Sequence, residues 1–209
     1  MTFREYEVKV IVSNIDLLLK RFNELGAQLL KRVIQRDAYY DLNYRLTKKD
    51  QLLRIRVEES IDTKNFQKGE FSWKSGRKGT QFEVREDISI PLNSQETIQT
   101  LELILDRLGF RKVAWLVKYR DRWRLNDVEF EFDKFIKAQA LNRPQKEIGS
   151  YLQATIETEH EYTPEEIEKI LWTSLEPLGF TRNHLRWASY IELYLNQLNE
   201  LNSVKYLKK

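Results

Sequence analysis

Seven segments of this chain alternate charged and apolar side chains one residue at a time, and that alternation limits the fold more than any other feature. Strand side chains point to opposite faces with period two, so each segment reads as a strand with a charged face and an apolar face. Residues 5–12 set Glu5, Glu7 and Lys9 against Tyr6, Val8 and Val10. Residues 52–58 set Arg54, Arg56 and Glu58 against Leu53, Ile55 and Val57, and residues 70–74 set Glu70, Ser72 and Lys74 against Phe71 and Trp73. Residues 82–90 set Glu83, Arg85, Asp87 and Ser89 against Phe82, Val84, Ile88 and Ile90, with Glu86 interrupting the apolar side. Residues 115–123 carry Lys118, Arg120 and Arg122, residues 128–133 carry Glu129, Glu131 and Asp133, and residues 151–159 carry Gln153, Thr155, Glu157 and Glu159, each opposite an apolar row.

Between these strands the apolar period lengthens to that of a helix. Residues 15–25 and 95–108 carry leucine and isoleucine at helical spacing and stop at Gly26 and Gly109. Thr163-Pro164-Glu165-Glu166 opens a third helix over 164–178, with a capping threonine, proline at the first position and a capping-box glutamate. A last helix is expected over about 184–200, with a frayed tail to Lys209. Residues 60–70 and 136–150 read as loops. No Pro/Gly/Ser-rich linker divides the chain, so one domain over 1–209 is expected.

Composition narrows the chemistry. Without cysteine there are no disulfides or thiolate metal sites, and two histidines make a histidine-rich zinc or copper site a poor fit. A bound metal would take oxygen ligands, which means magnesium, manganese or calcium. The net charge of +3 is small for a chain with 32 % charged residues, unlike the one-sided surface of a general nucleic-acid coat. No apolar run reaches the roughly 20 residues of a membrane span, and no signal peptide is visible. A soluble, cytoplasmic protein with neither nucleic-acid nor membrane partners is expected.

Two arrangements of the charged faces stay open. They can form the wet side of a half-buried antiparallel sheet. Alternatively, the sheet curls into a barrel with charge inside and amphipathic helices outside. The close mixing of acids with bases, and the preference for arginine with its planar bidentate fork, favour the second. A charged interior is costly unless something ionic fills it. Basic strands beside acidic strands suit an anion together with its metal. The aromatic stripe of Trp73, Tyr119, Trp123, Phe130 and Phe132 then belongs to the outer core.

Glu5-x-Glu7-x-Lys9 at the N-terminus resembles the signature of the CYTH family, which comprises class IV adenylate cyclases and thiamine triphosphatases and is also called the triphosphate tunnel metalloenzymes. Further landmarks follow in the family's order. Gln35-Arg36-Asp37-Ala38-Tyr39-Tyr40-Asp41 is similar to its Q-x-D-x-Y-x-D segment, and Leu53-Arg54-Ile55-Arg56 to its L-R-I-R strand. Trp73-Lys74, Lys118-x-Arg120, Asp133 and Ser189-Tyr190-Ile191-Glu192-Leu193 resemble its later strands and last helix. The first two segments look closest to the class IV cyclase branch. Two strands depart from the pattern: Arg85-x-Asp87-x-Ser89 stands for R-x-E-x-E, and either Gln153/Thr155 or Glu157/Glu159 takes the late glutamate positions.

The resemblance implies an α+β fold, a closed antiparallel β-barrel forming a triphosphate tunnel, with helices packed outside. It implies Mg2+ or Mn2+ held by Glu5 and Glu7, joined by Glu157 or Glu159 and by Glu131. Lys9, Arg54, Arg56, Lys74, Arg85, Lys118 and Arg120 would grip the triphosphate, and Lys9, Arg56, Lys74, Lys118 and Asp133 would carry the catalytic roles. The implied activity is cyclase-like, ATP giving cyclic AMP and pyrophosphate. The alternatives are hydrolysis of inorganic triphosphate, thiamine triphosphate or a nucleotide, and a non-catalytic polyanion-binding module. A homodimer is left open. In a crowded basic interior, Arg56→Ala is expected to leave the empty protein as stable as before or more so.

Overall fold

The structure, a computed structural model, describes residues 4–77, 86–158 and 162–198; for residues 4, 5, 157, 158 and 164 it describes the backbone alone. Eight strands run β1 (Arg4–Val12), β2 (Gln28–Asp41), β3 (Leu52–Ser60), β4 (Phe66–Lys74), β5 (Asp87–Leu92), β6 (Arg111–Leu125), β7 (Val128–Ala140) and β8 (Lys146–Thr158). Four helices join or follow them: α1 (Ile15–Glu24), α2 (Gln95–Arg107), α3 (Pro164–Leu175) and α4 (Tyr190–Gln197). All strand pairs are antiparallel, in the order β1-β8-β7-β6-β2-β3-β4-β5.

The expected barrel is not closed by hydrogen bonds. Among the described residues β1 and β5 are edges of one open sheet. The sheet nevertheless curls. Helix α4 packs on β7 and β8, yet its Glu192 is bound by Arg77, just beyond β4 and four strands away from β7 in the sheet order.

The convex face carries the expected apolar rows, and helices cover them. Phe22 of α1 stacks on Trp123 at 4.9 Å and meets Phe130 edge-on, while Ile167, Leu171 and Trp172 of α3 join the same core against β1, β7 and β8. Helix α2 covers the other wing, where Ile98 and Leu105 pack with Leu53, Ile55 and Leu92. Tyr119 is the exception in the aromatic stripe: it is 38 % exposed, edge-on to Phe135. Each of the first three helices ends on a left-handed glycine, Gly26, Gly109 and Gly179. The next amide then reaches back to Phe22, Leu105 and Leu175 respectively, satisfying a carbonyl of the last turn. The capping box at Thr163/Glu166 forms as expected, and Ser189/Glu192 makes a second one on α4.

Several boundaries move. Strand β2 carries no clean alternation because both of its faces mix polar and apolar side chains: Val33 and Ile34, on opposite faces, are both buried, and Arg32 and Arg36 are exposed on the same face as Ile34. The expected loops 60–70 and 136–150 shrink to residues 61–65 and 141–145. Strand β7 continues past an irregularity between Asp133 and Ile136, where Phe135 takes a φ of +50°, and this breaks the sequence period there. The last helix is shorter than expected, with Trp187 ahead of it and 49 % exposed. Part of the 82–90 strand, and the tail from 199, lie outside the described residues. No described helix is long and apolar enough to cross a membrane.

Candidate active site

Register, rather than proximity in sequence, assembles the concave face. Lys9 stands beside Gln153, Gln153 beside Glu131, and Glu131 beside Arg122, across β1, β8, β7 and β6. One step along, Glu7, Thr155, Glu129 and Arg124 form the next row. On the other wing Asp37 faces Arg56, which faces Glu70, and Tyr39, Arg54, Ser72 and Ser89 continue that wing. The charged faces of separate strands thus share one side of the sheet.

Two aspartates organise it. Asp133, fully buried on β7, accepts from Lys118 Nζ at 2.7 Å, from Arg120 Nε and Nη2 at 2.6 Å each, and from the Tyr190 hydroxyl at 2.7 Å. Burial alone would raise its pKa; Arg120 and Lys118 outweigh that and hold the carboxyl well below the usual range. Arg120 also donates to Gln153 Oε1 at 2.8 Å and pairs with Glu131. On β2, Asp37 takes a two-pronged contact from Arg56, 2.7 Å for each bond. Its carboxyl too stays well below normal, since Arg56, Arg54 and Lys118 overcome the cost of burial.

Lys118 bears the cost of this crowding. Burial, then the neighbouring Arg120, pushes its ammonium down to about 7 despite Asp133. A third carboxylate, Glu58, sits under Lys31 at 2.9 Å and Arg122 at 2.8 Å, with Lys68 at 3.7 Å. Burial would raise it, but these cations bring it down to about 2. More open pairs lie at the β3–β5 wing: Arg54 with Glu70 at 2.8 Å and Lys74 with Asp87 at 2.9 Å. Two of the buried polar atoms without a partner among the described residues lie on this wing, Arg54 Nε and Ser72 Oγ; the others, Gln35 Oε1, Asp121 Oδ1 and Trp123 Nε1, lie on β2 and β6. An unsatisfied buried donor is costly, and a ligand oxygen would relieve it.

The expected residues are therefore brought to one face, with differences. Lys9, Arg54, Arg56, Lys74, Lys118, Arg120, Glu131 and Asp133 share it through the registers and contacts above, and Glu7 joins them by accepting from Gln153. The backbones of Glu5 and Glu157 are directly paired at the same edge, beyond Glu7 and Thr155. Arg85 and Glu159 lie outside the described residues. Gln153 and Thr155 hold the register positions next to Glu7 and Glu131. Glu131 is engaged by Arg120 and Arg122. Among the described residues no three metal-capable side chains stand together.

The premise of the stability expected for Arg56→Ala, a cation surrounded by other cations, is overturned. The Arg56 guanidinium neutralises a carboxylate whose side chain is 1 % exposed, so removing it strands a buried charge. The sequence displays the cations and not how they pair, because partners such as Asp37 and Glu58 sit on other strands at unknown register. It also gives no role to Gln35, Ser72 or Arg77.

One part of the concave face is apolar. Ile11, Leu116, Ala138, Ile148 and Tyr151 gather there, and α4 seats Tyr190 and Tyr194 on them. Arg77 clamps this helix, giving Glu192 two bonds of 2.8 and 2.6 Å and Asp50 two of 2.8 Å. The approach is close: a Cβ on Gly76 would stand 2.8 Å from the carbonyl oxygen of Lys49. Asp41 holds the adjoining turn by accepting from the amides of Leu46 and Thr47.

Comparison with known proteins places this arrangement. The CYTH domain family model matches residues 4–186. A Methanocaldococcus jannaschii protein named "Putative adenylate cyclase" is 25% identical over 194 residues, covering 90% of this chain and 97% of that protein. The solved structure of the PH1012 protein from Pyrococcus horikoshii superimposes with a TM-score of 0.67 at 26% identity, over 90% of this chain and 98% of that one. A Hippeastrum structure, described as a "Putative adenylyl cyclase" with a dominant triphosphatase activity, shares the fold at 16% identity and a TM-score of 0.58, over 98% of this chain and 99% of that one.

Proposed function

This chain belongs to the CYTH domain family, and from that premise we propose that it is a divalent-metal-dependent enzyme that hydrolyses a triphosphate on its concave charged face. The observation that carries the reading is the division of that face. Cations from β3, β4 and β6 line its charged part, and α4 already fills its apolar part. An extended anion charged along its whole length, such as inorganic triphosphate, matches the first. An adenine ring needs an apolar or aromatic seat, and the one seen among the described residues of this face holds Tyr190 and Tyr194.

Arg54 and Arg56 would take oxygens of neighbouring phosphoryl groups, with Arg54 Nε gaining its missing acceptor. Lys74 would exchange Asp87 for the anion, and Lys9 and Lys118 would hold its far end, while Arg120, bonded to Asp133, Gln153 and Glu131, would stay in place behind them. Asp133 has its oxygens committed to these cations, so its part is to fix them in place. Glu5, Glu7 and Glu157 stand on paired strands and are of the residue type whose hard oxygen donors Mg2+ or Mn2+ takes, and they would hold it beside the anion. When bound, the cation would neutralise charge that builds on the phosphoryl oxygens. Fixed charges and positioning would supply the remaining catalysis.

The name of the archaeal relative favours a second reading, cyclisation of ATP with release of pyrophosphate. Incubation with ATP, inorganic triphosphate and thiamine triphosphate, each with Mg2+ or Mn2+, separates the two by product. Orthophosphate released from inorganic triphosphate is the expected result. Cyclic AMP from ATP would replace the first reading by the second. Binding without turnover of any of the three would leave a polyanion-binding module.

A further inference from the structure

The family model matches up to Arg186, four residues before α4 begins, and the resemblance of residues 189–193 to the family's last helix gives Tyr190 no role. Yet the first residue of α4 stands inside the charged cluster. The Lys9 and Lys118 ammoniums each lie 4.9 Å from the centroid of the Tyr190 ring. Lys9 is on β1 and Lys118 on β6, with β8 and β7 between them in the sheet. Three steps of about 4.8 Å would put those backbones roughly 14 Å apart on a flat sheet. The curl and one aromatic ring bring the two charges to a shared seat.

We propose that Tyr190 is a positioning residue of the anion site, its ring holding the Lys9 and Lys118 ammoniums in place for one phosphoryl group. Two ammoniums repel each other. The negative face of an aromatic ring offsets this and leaves the Lys9 protons, and those of Lys118 not given to Asp133, to meet phosphoryl oxygens. Both lysines are buried, 8 % and 1 % exposed, so the ring acts in a poorly screened setting where such contacts are strongest. The hydroxyl has a separate task. It donates to Asp133 at 2.7 Å, next to the bonds from Lys118 and Arg120, and so sets the depth at which the ring sits. Burial, then Asp133, pushes this hydroxyl well above its ordinary pKa, so it remains a donor. Helix α4 is thereby more than a cover for apolar residues: it brings the part that arranges two cations from opposite sides of the face.

The proposal rests on the reading of this face as a triphosphate site, and the test separates the two. Tyr190→Phe keeps the ring and loses the hydroxyl; Tyr190→Leu loses both. Affinity for inorganic triphosphate with Mg2+ is measured by calorimetry, melting temperature without ligand alongside it, and the lysine side-chain NMR shifts report ring currents at Lys9 and Lys118. The expected result is affinity within about two-fold of wild type for Phe and about ten-fold weaker for Leu. Phe should nonetheless melt lower than wild type, because Asp133 loses a donor. The ring-current shifts should survive in Phe and vanish in Leu. A purely structural tyrosine would make affinity follow melting temperature in both variants, and that result overturns the proposal. So does a Leu variant that binds like wild type. A wild type that binds no triphosphate overturns the reading of the face, while ring-current shifts absent from wild type would overturn the ring seat by itself.

Discussion

The two aspartate clusters on the concave face use the same chemistry and differ in what surrounds them. Around Asp133, the side chains of Lys118, Arg120 and the aspartate are 1 %, 3 % and 0 % exposed, and α4 adds a hydroxyl from above. Around Asp37, Arg56 is 19 % exposed, and nearby Glu70 and Asp87 are about a third exposed. Both Asp133 oxygens are engaged in the first cluster, while the second wing leaves Arg54 Nε and Ser72 Oγ without partners among the described residues. A sealed, saturated ion cluster acts as a frame. An open, incompletely paired one can trade a carboxylate for a phosphoryl group at little cost.

The contrast predicts the largest loss at Asp133. Asp133→Asn strands two buried cations and should destabilise the empty protein by about 3–5 kcal/mol, or prevent folding at all. Denaturant unfolding checks this, and a loss below about 1 kcal/mol would mean that the cluster is not a frame. Arg56→Ala comes next. It should cost roughly 2–4 kcal/mol, since Arg54 and Lys118 remain to ease the stranded Asp37. It should also weaken triphosphate binding, and Arg56→Lys should restore stability better than affinity because a point charge lacks the planar fork. Equal rescue of both would erase the distinction between frame and ligand wing.

Much of the concave face is legible in the amino-acid sequence, for a physical reason. Period-two alternation survives wherever a strand is flat, as in residues 5–12 and 52–58, so it puts Glu5, Glu7 and Lys9 on one strand face and Arg54 and Arg56 on another. It fails at the bulge that breaks the far end of β7, and on β2, whose two faces both mix polar and apolar side chains. It is also blind to register: that Arg56 meets Asp37, and Arg122 meets Glu58, follows from which strand lies beside which. Closure is the reverse case. Alternation and resemblance both suggest a closed barrel, but whether the last pair of edges bonds depends on curvature, which no single strand encodes.

A smaller effect, on binding alone, is expected at Arg54→Ala. Glu70 is partly exposed and can be solvated, so stability should change by less than about 1 kcal/mol, while triphosphate affinity falls about ten-fold, or about 1.4 kcal/mol. Matching losses in stability and affinity would place Arg54 in the frame instead.

The smallest effect should appear with pH. Burial, then Arg120, sets Lys118 near 7 in the empty protein, so its charge is present below that value and lost above it. A bound anion favours the charged form, so binding should take up a proton above pH 7 and affinity should decline by a few-fold from pH 7 to 9. Lys118→Arg should flatten that decline. A slope that persists in the arginine variant would assign the titration to another group.

The central claim is that the β3–β4 wing meets the triphosphate while the Asp133 cluster keeps its internal bonds. Arginine Nε–Hε NMR correlations report it directly, because each guanidinium gives its own signal. On titration of inorganic triphosphate with Mg2+, the Arg54 and Arg56 signals should shift most, while that of Arg77, clamped between Asp50 and Glu192, stays in place and that of Arg120 moves little. Saturating shifts at Arg77 with Arg54 and Arg56 unmoved would contradict the account.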